Sequence, residues 1–396
     1  MKNDIRHAIR ALLRSPGYTA VALITLVLGL GANTAVFSLV NGVLLAPLPY
    51  PSPDELVVVR EVNGRGGEMD AAWQNFADWR ERSRSFDHLV AYGSGESTVL
   101  GGERPLRADV AAVSAGFLDA LRTSPERGRA LLAGDHQLGA APVAVVSDRF
   151  FRSQLGGRDD AVLNVDGYDI RVVGVMPAGF DFPSGADIWY PLELRRQNDS
   201  RTSHNYDVLG RLRSGVTPQA ADAELDAITL GFREGLPDVE NERGFRDFFP
   251  HEVHVSSLHQ ATVGDMRRPL SIMLGASLLL LLVACTNLTS TTLARGTMRQ
   301  REYAVRHALG AGRGRLMRLP LIEALLLAVT GAAAGFALGA VALRLLPAIA
   351  PTELPRLSNV RLDPAATLFT LALAMLSAAV AGLWPGLRAS KSAADS

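Results

Sequence analysis

Four apolar blocks, each long enough to cross a bilayer and nearly free of charge, limit what this chain can fold into. They lie at residues 18–46, 269–294, 319–346 and 364–387. A spanning helix needs about 20 mostly apolar residues, because each residue rises about 1.5 Å and the hydrocarbon layer is about 30 Å thick. No Asp, Glu, Lys or Arg occurs in residues 15–53, 269–294 or 364–387, so placing these stretches in lipid desolvates no ion. The third block holds one acid, Glu323, close enough to its start to reach the headgroup layer or a neighbouring helix. Core helices of soluble proteins seldom run so long without a polar face, and these blocks show none. The first block exceeds the roughly 7 to 15 residue apolar core of a signal peptide and no A-x-A site closes it, so an uncleaved anchor is expected. Residues 54–268 read as an ordinary soluble domain. The expected fold class is an integral membrane α-helical bundle of four transmembrane helices with a large α+β domain.

Orientation follows from arginine and lysine in the short loops. Residues 1–17 carry four of them and residues 295–318 carry seven, and the 388–396 tail adds Arg388 and Lys391. The 347–363 loop has Arg356 and Arg361, balanced by Glu353 and Asp363. Both termini and the 295–318 loop are therefore expected in the cytoplasm, with residues 47–268 and 347–363 on the opposite side.

Several functions are disfavoured by what the residues lack. Formal net charge is zero, so no bulk field draws in nucleic acid. The lysines are Lys2 and Lys391, and neither follows the glycine that a phosphate-binding G-x-x-x-x-G-K-[ST] loop requires. No ATPase or other enzyme is therefore expected in this chain, and no cofactor. The single cysteine, Cys285, lies inside an apolar block and rules out an intrachain disulfide framework. His251, Glu252 and His254 form H-E-V-H, one residue short of the H-E-x-x-H spacing that puts two histidines on one helical face, so no metal site is expected. Gly93-Ser94-Gly95 does not fit a nucleophile elbow.

On the cytoplasmic side, Ile5, Ala8, Ile9, Leu12 and Leu13 share one helical face and Arg6, Arg10 and Arg14 another, which predicts an amphipathic helix on the inner leaflet over residues 1–17. Ser15-Pro16-Gly17 breaks it. In the 295–318 loop a short helix is expected from Arg299 to Leu309, ended by Gly310, with Glu302 and Arg306 spaced i, i+4. By residue pattern alone that helix reads as a solvated connector. In the third span Gly331, Gly335 and Gly339 recur every fourth residue, a stripe that lets another helix approach closely, within or between subunits. Asn33, Thr34, Asn41 and Asn287 add polar groups able to bond across helices.

The 54–268 segment alternates strand-like runs (56–60, 142–147, 170–176, 207–212) with helical ones (71–83, 218–232), an α+β pattern sized for one domain or two small lobes. Trp73, Phe76 and Trp79 are spaced to pack one side of the first helix into a core, while Asp78 and Arg80 point elsewhere as solvated residues.

The string Arg301-Glu302-Tyr303-Ala304-Val305-Arg306-His307-Ala308-Leu309-Gly310-Ala311, followed by Arg313, Leu316 and Ile322-Glu323-Ala324, closely resembles the FtsX-like permease domain. Leu12-Leu13-Arg14-Ser15-Pro16-Gly17-Tyr18-Thr19-Ala20 and Gly29-Leu30-Gly31-Ala32-Asn33-Thr34-Ala35-Val36-Phe37-Ser38 resemble the start of MacB-type ABC transporter permeases. Asn75-Phe76-Ala77-Asp78-Trp79-Arg80, Ser85-Phe86, Gly174-Val175-Met176-Pro177 and Gly179-Phe180 resemble their periplasmic core domain. The pattern is that of one copy of the permeases with a duplicated four-helix unit. The resemblance implies a permease subunit of the mechanotransmission type in a bacterial inner membrane, exporting or extracting a substrate. It implies a separate ABC-type ATPase, a second permease copy in a homo- or heterodimer, the lipid membrane, and a periplasmic adaptor or outer-membrane channel as partners. Carried over residue by residue, it places Arg301, Glu302, Val305, Arg306, Leu309 and Gly310 on a coupling helix that docks the ATPase. An FtsX-like transmitter that regulates a periplasmic partner without moving a solute is the alternative. Four departures stand out: the ATPase that some members carry fused is absent, Pro320 is expected in the first turn of the third helix where it costs little, the segment Arg158–Gly167 is shortened by several residues, and the tail ends at Ser396 without the family's basic extension.

Overall fold

The computed structural model describes residues 2–100, 105–194, 200–233, 250–298, 313–349, 360 and 362–392. The chain divides into two compact units, Met1–Ala46 with Asp265–Ser396, and Pro47–Gly264. Helix α1 (Lys2–Leu13) is followed at once by α2 (Pro16–Val40), which continues into a π-helical segment, Asn41–Leu45. Pro16 sits in the first turn of α2, where a missing amide leaves no bond unmade. The corner is tied by Thr19 Oγ1 donating to Leu12 O at 2.8 Å and Ser15 Oγ to Ala11 O at 3.1 Å. The apolar face expected of α1 is split in two. Ala8 and Leu12 are buried against the bundle, whereas Ile5, Ile9 and Leu13 stay exposed beside Arg6, Arg10 and Arg14.

The second unit holds, in order, β1 (Leu56–Asn63), β2 (Glu68–Met69), β3 (Ala71–Ala72), α3 (Trp73–Arg82), β4 (Phe86–Leu100), β5 (Leu106–Val113), α4 (Phe117–Ala120), β6 (Arg127–Gly128), β7 (Val143–Val146), α5 (Asp148–Ser153), β8 (Val162–Val165), β9 (Tyr168–Val175), β10 (Ile188–Pro191), β11 (His204–Leu212), α6 (Pro218–Arg233) and β12 (Pro250–Ser257). Among the described residues these strands form one sheet in the order β12-β1-β11-β4-β5-β10-β7-β9-β6, with β2 on β1, β3 on β11, and β8 joined to β4 and β9. Pairs are antiparallel except β5–β10 and β7–β9. Both faces are covered, which is why β1 opens with the unbroken apolar run Leu56-Val57-Val58-Val59 instead of alternating. Val57 and Val59 enter one core with Trp73, Phe76 and Trp79 of α3 and Ala221 and Leu225 of α6. Leu56 and Val58 enter the other, with Tyr92, Phe117, Leu121 and Trp189.

Helix α6 also closes the sheet's edge. Asp226 accepts from Val253 N at 2.6 Å and Asp222 from Val255 N at 2.7 Å, so the outer amides of β12 are not left open for another chain. Trp79 Nε1 donates to Thr229 Oγ1 at 3.0 Å, joining α3 to α6 inside the core. The residues beside it are not merely solvated, as the sequence suggested. Asp78 pairs with Arg201 at 2.7 Å and with Arg82 at 3.4 Å, and the Arg80 guanidinium lies 5.1 Å from the Phe76 ring centroid.

Helices α7 (Leu258–Met298), α8 (Arg313–Ile349) and α9 (Pro364–Ser392) complete the first unit. Among the described residues four helices are long and apolar enough to cross a membrane: Pro16–Leu45, Leu258–Ala294, Pro320–Leu346 and Pro364–Ala381. Leu26 and Leu30 of α2 are fully buried against Leu281, Cys285 and Leu288 of α7, Ala328 and Ala332 of α8, and Ala374 and Ala378 of α9. The outward residues are equally apolar, with Val21 63%, Ile272 73% and Met375 62% exposed. A soluble bundle would put polar groups there; a lipid-facing one need not. Glu323 is turned inward and buried.

Two helix starts differ from the sequence reading. Helix α7 begins at Leu258 and carries Pro269 in its interior. Ser257 caps it by accepting from Gln260 N at 3.1 Å, an S-x-x-Q signal that the apolar periodicity hid. Helix α8 begins at Arg313, so Pro320 lies past the first turn and interrupts the ladder of backbone bonds.

The loop from α3 to β4 closes on one carboxylate: Glu224 accepts from Arg84 N at 2.8 Å, Ser83 Oγ at 2.9 Å and Ser85 N at 3.0 Å. Burial alone would raise its pKa, but these bonds outweigh it and hold the group below the ordinary carboxylate value. Its contribution is therefore complete above the unfolded-chain value of about 4.3 and is lost as pH falls through the lower folded value. Glu224→Gln is expected to lower the thermal midpoint at neutral pH, with the gap to wild type closing as pH falls through the lowered folded-state value. A gap unchanged across that range, in melting curves of the detergent-solubilised protein, contradicts this account.

Candidate functional site: the helix seam around the first span

Helix α2 touches each of the other three spans. Gly331, Gly335 and Gly339 of α8 all face it. A Cβ built on Gly335 would lie 3.0 Å from Gly31 N and 3.2 Å from Val27 O, and one on Gly339 would meet Thr34 Cβ at 3.2 Å. Gly331 abuts Leu26, whose Cβ is 2.9 Å away. The approach is mutual, since a Cβ on Gly31 would lie 3.0 Å from Gly335 O. Two residues earlier, Gly29 turns to α7 and meets Leu281 at 3.1 Å. The glycines thus bring helix backbones together in a medium where apolar burial drives no association.

Polar side chains lock the same helix to its other neighbours. Asn33 Nδ2 donates to Ser277 O on α7 at 2.7 Å, and Ser277 Oγ donates back to Asn33 Oδ1 at 3.1 Å. Tyr18 OH and Thr292 Oγ1 are 3.0 Å apart on the same pair of helices. Toward α9, Thr34 Oγ1 and Thr370 Oγ1 lie 2.8 Å apart, each also within reach of a carbonyl one turn back, Leu30 O at 2.7 Å and Ala366 O at 2.8 Å. Each hydroxyl has one proton, so one threonine donates across while the other donates to its own helix. Phe37 stacks on Phe369 with centroids 4.1 Å apart. Asn41 Nδ2 donates to Asp363 Oδ2 at 2.6 Å, and the other Asp363 oxygen caps α9 at Ala366 N, 2.7 Å away. Helices α7 and α9 meet independently through Cys285 Sγ and Ser377 Oγ at 3.3 Å.

Asn33, Thr34 and Asn41 thus bond across helices, whereas Asn287 is exposed and enters none of these bridges. Ser277, Thr370 and Ser377 were not legible as partners, because a small polar residue in an apolar helix shows nothing of which helix it faces, and Asp363, in the loop before α9, gave no sign that it meets Asn41. The coupling-helix residues Arg301, Glu302, Val305, Arg306, Leu309 and Gly310 lie outside the described residues. Among the described residues no group of three or more His, Cys, Asp or Glu is arranged to hold a metal ion. Among the described residues of this seam no acid, base or nucleophile is aimed into a cleft; the seam joins the first span to each of the other three by backbone packing and hydrogen bonds.

Residues 19–228, more than half the chain, match the family described as MacB-like periplasmic core domain, and residues 274–394 match the FtsX-like permease C-terminal family. The chain belongs to the MacB/FtsX-type ABC transporter permeases. This permease is 26% identical over 176 residues to the macrolide export ATP-binding/permease protein MacB of Neisseria meningitidis, an alignment covering 43% of this chain and 25% of that protein. The MacB of Neisseria gonorrhoeae is 24% identical over the same shares. The match therefore spans about a quarter of the length of these curated relatives. Among solved structures, the periplasmic region of MacB from Actinobacillus actinomycetemcomitans aligns with a TM-score of 0.41 at 10% identity, over 59% of this chain and 98% of that one. The extracellular domain of the noncanonic ABC-type transporter YknZ from Gram-positive bacteria aligns at 0.39 and 12%, over 51% and 99%.

The seam makes a test of the permease's packing simple. Gly335→Leu drives a side chain into the α2 backbone and is expected to destabilise the solubilised protein by about 1–3 kcal/mol or to prevent its assembly. Gly275→Leu on α7, where nothing lies within 4 Å, is expected to leave the melting temperature unchanged. Equal effects from the two substitutions contradict the seam.

Proposed function

We propose that this permease is a non-catalytic subunit of a mechanotransmission ABC transporter. A separate ATPase docks on the cytoplasmic loop through Arg301, Glu302, Val305, Arg306, Leu309 and Gly310. Its ATP-driven closure moves the spans, and the sheet unit moves in turn to export or extract a substrate on the periplasmic side. Both termini face the cytoplasm, as the clustering of arginine in residues 1–17 and 295–318 favours. A second permease copy completes the membrane unit, and a periplasmic adaptor or outer-membrane channel receives the substrate.

The observation that carries this reading is that α2 is joined to α7, α8 and α9 by direct contact while its own chain runs on into the MacB-like core domain. A displacement begun at the loop between α7 and α8 has a bonded route to the start of that domain. An external unit as large as Pro47–Gly264 favours transport over FtsX-like signalling, because it offers a surface for substrate as well as for a regulated partner.

The test is copurification of the permease with candidate ABC ATPases, comparing wild type with Glu302→Ala/Arg306→Ala. An ATPase is expected to accompany the wild type, and the double variant is expected to retain at least about tenfold less, a loss of about 1.4 kcal/mol in binding. If no ATPase binds the wild type, the transport reading falls; if the variant binds equally, the docking assignment falls.

A further inference from the structure

The segments that continue into the first two spans are fastened to the sheet unit at one place. Leu48, which follows α2, and Leu258, which opens α7, are both buried in the same apolar core, with Tyr50 packed against it. Above that core sits Arg211 on β11, its side chain 0% exposed. Its Nη1 donates to Pro51 O at 3.1 Å, Ser52 O at 3.3 Å and Glu55 Oε2 at 3.1 Å, and its Nε donates to Ala120 O, at the end of α4, at 2.6 Å. Arg122 grips the same stretch from the solvent side, 3.2 Å from Glu55 Oε2 and 3.3 Å from Ser52 Oγ. Between them Ser52 is held at φ 47°, a left-handed conformation that serine rarely adopts without outside support.

A buried guanidinium is a poor choice if packing were all that mattered. Its Nη2 has no hydrogen-bond partner among the described residues, and an apolar side chain of similar size would avoid desolvating the charge. No apolar side chain, however, would bind three carbonyls and a carboxylate from two separate segments. Arg211 lies on a strand paired on both sides, with β1 and β4, so a pull on residues 51–55 is passed into the middle of the sheet.

We propose that Arg211 is a positioning residue for force transmission, the clamp through which movement of the first span becomes movement of the whole sheet unit. This rests on the mechanotransmission reading above, and the experiment separates the two. In the full-length permease, amide exchange is followed over residues 47–56, and a spin label on the sheet unit reports ATP-driven displacement in the presence of the copurifying ATPase. Arg211→Met is expected to deprotect residues 47–56 while β11 stays protected, and to abolish the displacement while the ATPase remains bound. Glu55→Gln/Arg122→Gln, which keeps the buried cation and loosens the clamp from outside, is expected to do the same in part, and decides the matter if Arg211→Met does not fold. Trp79→Phe, which breaks the Trp79–Thr229 bond in the opposite core, is expected to lower stability yet leave displacement intact. Displacement that persists in both clamp variants overturns the proposal. So does its loss in Trp79→Phe to the same degree, since stability alone then explains it. If the wild type shows no ATP-driven displacement, the mechanotransmission reading fails and the transmission role with it, while the exchange data still decide whether Arg211 fastens the segment.

Discussion

Where Gly31 of α2 meets Gly335 of α8, two helix backbones come so close that a Cβ on either glycine would lie 3.0 Å from a backbone atom of the other, and the packing of the first span on the third depends on that contact. Lipid tails are as apolar as leucine, so burying more leucine between spans gains little; close backbone packing and hydrogen bonds must hold the helices together. Leu26 and Leu30, on the same face of α2, are then buried by proximity and not by exclusion from water. The neighbouring turns of α2 distribute its other contacts, Gly29 and Asn33 to α7, Thr34 and Phe37 to α9. Helix α2 is therefore in contact with each of the other three spans.

The polar residues within the spans are consistent with the same constraint. An unpaired amide or hydroxyl in hydrocarbon is costly, and the buried ones on α2 find partners: Asn33 exchanges two bonds with Ser277, and Thr34 shares with Thr370. Such bridges are worth about 0.6–2 kcal/mol each, enough to choose an arrangement without making it irreversible.

In the sheet unit the burden falls on the hydrophobic effect instead. Two cores lie on opposite faces of one sheet, and strand β1 contributes alternate residues to each. Polar groups appear where a chain segment must be held in place: Asp222 and Asp226 on the edge strand, Glu224 on the α3–β4 loop, Arg211 on the entry segment. Three of these four are carboxylates receiving backbone amides, and the fourth is a guanidinium giving to carbonyls, so each satisfies the backbone groups that irregular structure leaves open.

By itself the sequence determined the number of spans, the soluble segment between the first two, the core role of Trp73, Phe76 and Trp79, and the family. These follow from composition over windows of about 20 residues, from helical periodicity, and from strings such as Arg301 to Ala311, all of which are local along the chain. Only the tertiary structure decided which helix the Gly331-Gly335-Gly339 stripe faces, that Asn33 meets Ser277 and Asn41 meets Asp363, that Asp78 is ion-paired, and that Arg211 reaches back to Pro51 and Ser52. Those partners are separated by 123 to 322 positions or bridge different helices. Periodicity states which face of a helix is small or polar; it carries no information about what packs there, because that depends on how distant segments are brought together in three dimensions.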